Sequence, residues 1–198
     1  MKPTIKGLIL AAGSSSRMGR PKQLLPWGES TLIEHCISIA NASKLDSLLV
    51  VLGSDATAIR PSIQVLDVDV VVNEEWAKGM ASTIKIGVDR ITSGDMPDGI
   101  LIMLADQPFV NADYLDQLIN EFDTKDSIIA STYENHLGVP ALFGAAHFDL
   151  LTKLTGDSGA GAILNKKRDS IRTLPLSSDL TDIDTMEAYI SLRPNTDP

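Results

Sequence analysis

The feature that most restricts this chain is a series of short apolar runs separated by amphipathic stretches. Gly7 to Ala11, Leu48 to Leu52, Val68 to Val72, Ile100 to Leu104 and Ile128 to Ala130 lack regular polar alternation. Strands of that kind are covered on both faces. Between them, Met80, Ile84, Val88 and Ile91 repeat at helical spacing, as do Leu115, Leu118, Ile119 and Phe122. Thr31 and Glu34 form a capping box ahead of Leu32, Ile33, Cys36 and Ile37, and Asn111 is a good N-cap for the helix through Leu115. This alternation predicts βαβ units in a three-layer α/β/α fold with a mainly parallel sheet. After residue 131 the pattern loosens. An apolar run from Val139 to Phe143, a short strand near Ile171 to Leu174 and a last helix over about Thr185 to Leu192 are expected. No repeat or linker-like tract interrupts the chain, so residues 1–198 read as a single domain.

Charge narrows the partners. Seventeen basic residues against 26 acidic ones leave a formal charge of −9, which repels nucleic acid and anionic lipid. No apolar stretch approaches the roughly 20 residues that cross a bilayer. The run ending at Gly13 is followed by Arg17, Arg20 and Lys22 instead of a cleavage site, so it reads as a buried strand and not a signal peptide. Cys36 is the only cysteine. No internal disulfide can form, which fits a reducing cytoplasm as the expected location.

Candidate chemistry starts where the first strand ends. Leu10-Ala11-Ala12-Gly13-Ser14-Ser15-Ser16-Arg17-Met18-Gly19 is followed by Pro21 and Lys22. Ligands of parallel sheets bind beyond the carboxyl ends of strands. Small residues let the backbone N–H groups approach a polyphosphate, with Gly13 free to adopt unusual dihedrals. Arg17 and Lys22 add fixed positive charge. The loop has neither the Gly-x-Gly-x-x-Gly of dinucleotide binders, which argues against an NAD-dependent oxidoreductase, nor the Gly-Lys-Ser/Thr of P-loops. A plain Ser/Gly turn with two solvated bases is the competing reading.

Asp106 ends an apolar strand, where a carboxylate can hold Mg²⁺ beside a triphosphate or simply open the turn before Pro108. Asp182 and Asp184 lie two apart and share one side of an extended segment. They could add carboxylates to the same ion. Alternatively, Asp184 with Glu187 makes a capping box for the last helix.

Six ordered motifs resemble the nucleotidyltransferases of the Mob-A-like type, with their Rossmann-like, glycosyltransferase-A-type fold. They are the loop from Leu10 to Gly19, Asn73 to Ser82, Leu104 to Pro108, Gly138 to Phe143, Gly156 to Ala160 and Asp182 to Thr185. The branch that bears most similarity is the molybdenum cofactor cytidylyltransferases, which join CMP from CTP to molybdopterin. The resemblance implies nucleotide contacts from Leu10, Ala11, Ala12, Gly13, Ser14, Ser15, Ser16, Arg17, Lys22, Asn73, Gly79 and Ser82. Met80 is expected to face the core. Acceptor contacts fall to Gly138, Pro140 and Asp157, metal contacts to Asp106, Asp184 and Asp182, and catalysis to Lys22, Arg17 and Asp106. His136 is left out of the catalytic set. Gly-Ala-Arg is usual after the position of Asp157, whereas here Gly159-Ala160-Gly161 follows, so an anion contact is missing.

The expected reaction is Mg²⁺-dependent transfer of a nucleoside monophosphate from a nucleoside triphosphate to a small phosphorylated acceptor, with loss of pyrophosphate. Ala-Ala-Gly in the loop resembles the cytidylyl enzymes, and Ala-Gly-Gly the guanylyl ones, so Ala12 favours CTP. A guanylyl- or uridylyltransferase, an enzyme activating a sugar or alcohol phosphate, and a non-catalytic nucleotide-binding regulator are the alternatives. Arg17, Lys22 and Asp106 together argue against the regulator. The resemblance also implies an onward partner, a molybdoenzyme or a cofactor-insertion protein.

Overall fold

The computed structural model describes residues 2–134, 136–176 and 182–194. The predicted apolar runs are strands β1 (Ile5–Ala11), β4 (Ser47–Leu52), β5 (Asp69–Val72), β6 (Gly99–Leu104), β7 (Ile128–Thr132), β8 (Leu137–Gly144) and β9 (Arg172–Pro175). They form one seven-stranded sheet in the order β5-β4-β1-β6-β8-β7-β9. β1 pairs in parallel with β4 and β6, β4 with β5, and β7 with β9, while β8 runs antiparallel between β6 and β7. The sheet is therefore mixed and mainly parallel, with helices on its faces, as expected.

Alternation along β1 sorts its side chains into two cores. Ile5, Ile9 and Ala11 face α1 (Leu32–Asn41), α2 (Ala56–Ile63) and α4 (Ala112–Asn120), whose buried members include Ile33, Ile59 and Leu115. Leu8 and Leu10 face α3 (Met80–Thr92), α5 (Phe148–Thr152) and α6 (Ala160–Lys166) through Ile84, Phe148 and Ile163. Both helix starts read from sequence hold. Thr31 and Glu34 close a full capping box at α1, and the Asn111 side chain accepts from the Tyr114 N–H at 2.8 Å at α4.

A third, smaller core was not foreseen. The short hairpin β2 (Pro26–Trp27) and β3 (Ser30–Thr31) packs Trp27 with Met18, Leu25 and Leu32 against Ile183 and Tyr189. Tyr189 lies on α7 (Met186–Leu192), and its hydroxyl donates to the Pro26 carbonyl at 2.7 Å. This contact brings the C-terminal segment, some 160 residues away in sequence from Lys22, back to the end of β1.

Two expectations at helix ends are corrected. The N-cap of α7 is Thr185, whose Oγ1 accepts from the Ala188 N–H at 3.2 Å, so Asp184 is not the capping residue. Met80 does not face the core. It is 41% exposed, because it opens α3 just after Gly79, and the buried stripe of that helix starts at Ala81.

Candidate nucleotide site

A cleft of about 520 Å³ opens beyond the carboxyl ends of β1 and β6. One wall is the loop after β1, with Ala11, Ala12, Gly13 and Ser14; the opposite wall carries Trp76, Gly79 and Met80. Lys22, Asp106, Asp157, Asp182 and Asp184 bring charge into it.

The loop takes its shape from small residues and one buried amide. Gly13 has an ordinary φ. The left-handed residues are Ser15, at φ 48°, and Gly19, at φ 65°, which corrects the expectation that Gly13 takes the unusual dihedral. A Cβ on Gly13 would meet nothing within 4 Å, so the glycine borders open space at the cleft. Gln23, 2% exposed, donates from Nε2 to the carbonyls of Ala11 at 3.2 Å and Gly13 at 3.4 Å. Engaging those carbonyls leaves the loop's N–H groups for an anion. Ser15 turns inward: its Oγ accepts from the Lys22 N–H at 3.1 Å and donates to Gln23 at 3.4 Å. Ser16 and Arg17 lie on a 3₁₀ turn, Ser16–Met18. The side chain of Arg17 lies outside the described ones, so the expectation placed on it does too.

Lys22 joins the carboxylates. Its Nζ binds Asp106 Oδ2 and lies 3.0 Å from Asp184 Oδ1. The Lys22 and Asp106 side chains are only 16% and 13% exposed, against 45% for Asp184. Burial works against the Lys22 charge, but the Asp106 carboxylate, with Asp184 behind it, outweighs burial and holds the ammonium above its usual pKa. Asp182 is exposed at the rim, yet desolvation, reinforced by the Asp106 charge, pushes its carboxyl up to about 6. Between the two acids, Ile183 is fully buried and donates its N–H to the Asp106 carbonyl at 3.0 Å. The extended segment thus turns both carboxylates to the cleft and anchors its apolar residue beneath, as the spacing predicts.

The other expected contacts divide. Gly79 sits at φ 98°, and a Cβ there would stand 2.4 Å from the Gly156 carbonyl and 2.5 Å from Asp157 Oδ1. Glycine is required for that approach, which brings Asp157 to the cleft. Asn73 and Ser82 do not line the cleft. Asn73 is 3% exposed, donates to Ser82 Oγ at 2.9 Å and accepts from the Glu75 N–H at 3.0 Å, while Ser82 donates to the Gly79 carbonyl at 2.8 Å. Both shape the Trp76–Gly79 wall from behind. Gly138 and Pro140 lie on β8, away from the cleft lining, and a side chain on Gly138 would meet the Tyr133 ring at 2.9 Å. His136, exposed, stacks on Tyr133 with ring centroids 4.7 Å apart.

Sequence reading missed Gln23, Gln107, Trp76 and Met80. Gln107 could have been suspected from a long amide placed directly after Asp106, just beyond an apolar strand; Trp76 and Met80 lie in a motif already singled out, but nothing in their spacing tells cleft from core.

The donor set suits a hard divalent cation. Asp106 Oδ1 is buried without a hydrogen-bond partner among the described residues, a carboxylate oxygen with room for one more ligand. Among those residues no group of three or more His, Cys, Asp or Glu is placed to hold a metal by itself. Mg²⁺ is characteristically held by one or two carboxylates plus substrate phosphates, so Asp106 with Asp184 fits that ion.

A loop of small residues, a lysine and paired carboxylates thus meet at the carboxyl edge of a mixed α/β sheet. Residues 7–171 match the family model of the MobA-like NTP transferase domain, and the chain belongs to that family of nucleotidyltransferases. Over 96% of this chain and 97% of each relative, it is 30% identical to purine catabolism protein PucB of Bacillus subtilis and 27% to nicotine blue oxidoreductase of Paenarthrobacter nicotinovorans. A probable molybdenum cofactor guanylyltransferase of Bacillus mycoides is 34% identical over 62% of this chain and 61% of its own length. Among solved structures, Rv0371c of Mycobacterium tuberculosis H37Rv superposes with a TM-score of 0.86 at 31% identity, covering 98% of both chains. A structure of that protein in complex with manganese gives 0.81 at 30% identity, covering 96% of this chain and 98% of that one. No described helix is long and apolar enough to cross a membrane.

Proposed function

We propose that this chain transfers a nucleoside monophosphate, CMP from CTP, onto the phosphate of molybdopterin and releases pyrophosphate. The observation that carries this reading is Lys22 seated between Asp106 and Asp184 at the foot of the loop after β1. That loop receives the triphosphate on its N–H groups. Lys22 then moves from carboxylate to phosphate and offsets charge growing on the α-phosphate and the pyrophosphate. Asp106, with Asp184, holds Mg²⁺, which supplies Lewis acidity and a template for the phosphates. The acceptor's phosphate oxygen, ionised at neutral pH, attacks the α-phosphorus in line, and the bond to the bridging oxygen of pyrophosphate breaks. No nucleophilic side chain is needed, so positioning and charge do the work. Asp157, close to Gly79, contributes an acceptor for hydrogen bonds from base or acceptor.

The base assignment rests on Ala12. Its methyl lies 2.7 Å from where a side chain on Gly53 would start, just past the end of β4. The guanylyl name of the partial relative makes GTP the second reading. Pyrophosphate release measured with CTP, GTP, UTP and ATP, each with Mg²⁺ and molybdopterin, separates them. Release with CTP alone is expected. Release with GTP would overturn the base, and no release with any of the four would overturn the reaction.

A further inference from the structure

Gln107 is a buried polar residue that nucleotidyl transfer as described leaves unused. It follows Asp106 at the end of β6 and is 4% exposed. Its Nε2 faces three acceptors on two other parts of the chain: Asp182 Oδ1 at 3.0 Å, the Tyr133 hydroxyl at 3.1 Å and the Val139 carbonyl at 3.2 Å. Two amide hydrogens shared among three acceptors leave no donor capacity over. Its Oε1 is buried with no hydrogen-bond partner among the described residues, a cost that methionine of similar volume would not incur. Stability alone therefore does not explain a glutamine at this position.

Its contacts do. The backbone carbonyl of Asp106 accepts from Ile183, and the next side chain, Gln107, grips Asp182. Adjacent residues at the end of β6 thus hold adjacent residues of the C-terminal segment. Lys22 holds Asp184 at 3.0 Å, while Asp182, which the Asp106 charge repels, takes a hydrogen bond from Gln107. The amide of Gln107 thus holds Asp182 against that repulsion, while Tyr133 and Val139 fix the amide itself.

We propose that Gln107 is a positioning residue: through Asp182 it holds the Asp182–Asp184 segment against Asp106 and so sets the spacing at which the carboxylates receive a divalent cation. The inference rests on the reading of the cleft as a metal–nucleotide site. Residues that orient metal ligands in this way typically govern about 10- to 100-fold in metal affinity.

The test is a titration of Mn²⁺, followed by electron paramagnetic resonance, into the full chain with a non-hydrolysable CTP analogue. Gln107→Met should weaken Mn²⁺ binding by about 10- to 100-fold while melting close to the wild type. Gln107→Glu, which keeps the shape and faces Asp182 with like charge, should weaken it at least as much, and it carries the test if the methionine variant fails to fold. In an Asp182→Ala background, where the contact is already gone, Gln107→Met should add less than about threefold. Wild-type affinity in both single variants would overturn the inference. So would a full loss that persists in the Asp182→Ala background, since it would act through packing and not through Asp182. Wild-type chain that binds no Mn²⁺ with the analogue would instead overturn the reading of the cleft, and the inference with it.

Discussion

Removing the Lys22 ammonium should cost the ligand-free fold and the reaction by separable amounts. Lys22→Met leaves Asp106, 13% exposed, without its cation, while Asp184, 45% exposed, stays hydrated. Breaking a fully buried pair costs about 3–5 kcal/mol, and an exposed pair less than about 1. With a little solvent at both Lys22 and Asp106, the loss should be about 3 kcal/mol, nearly all from Asp106. For a domain of this size that is a fall of about 6–12 °C in melting temperature. Asp184→Asn should cost less than about 1 kcal/mol. The double variant Lys22→Met/Asp106→Leu should recover most of the loss, because an apolar pair of similar volume carries no stranded charge. Turnover should still fall by roughly 10²- to 10³-fold in Lys22→Met at saturating substrate. Calorimetric melting of the three variants beside the wild type reads the first part, and single-turnover kinetics the second. Equal destabilisation by Lys22→Met and Asp184→Asn would refute the assignment of the energy to Asp106. Wild-type turnover in Lys22→Met would refute the phosphate role.

Three further outcomes follow from the same geometry. Gly13→Val should melt within about 2 °C of the wild type, since its side chain enters open space and such changes stay within about 0.5 kcal/mol, yet raise the KM for the triphosphate at least tenfold; an unchanged KM would show that the phosphates lie elsewhere. Gly79→Ala combines a strained φ with a clash at Gly156 and Asp157, and should destabilise by about 1–3 kcal/mol and lower kcat/KM; urea unfolding of a variant as stable as the wild type would contradict it. For Asp182, desolvation and the Asp106 charge raise the carboxyl from 3.8 to about 6, so the folded chain keeps a proton that the unfolded chain has lost between those values, and stability falls as pH rises through that window. Asp182→Asn should therefore gain stability at pH 7, by no more than about 1 kcal/mol given its solvent contact, and nothing below pH 4; a loss at pH 7 by urea unfolding would contradict it.

The sheet was legible because burial on both faces writes continuous apolar runs, and every run from Gly7 to Ile128 became a strand of it. The loop after β1, Lys22 and Asp106 were legible because strand ends fix where such residues must stand. The antiparallel sense of β8 was not, since β6 and β7 on either side of it set its direction by pairing. The β2–β3 hairpin was hidden by its length of two residues a strand. Asp184 and Met80 were ambiguous for a shared reason. At the entry to a helix, one side chain can cap, pack or face a ligand, and only the tertiary contact decides. For Asp184 it was Lys22 that decided, and for Met80 it was the entry through Gly79. Asn73 and Ser82 belong to a motif that resembles a nucleotide contact, yet they act on the loop from inside.

Which phosphorus is attacked distinguishes nucleotidyl from phosphoryl transfer most directly. CTP radiolabelled at the α-phosphorus or at the γ-phosphorus, incubated with Mg²⁺, molybdopterin and the full chain, separates the two bonds that could break. Transfer of the α-label into the acceptor, with the γ-label recovered in pyrophosphate and both abolished by Asp106→Ala, is the predicted result. Transfer of the γ-label to the acceptor, or α-label transfer that survives Asp106→Ala, would contradict it.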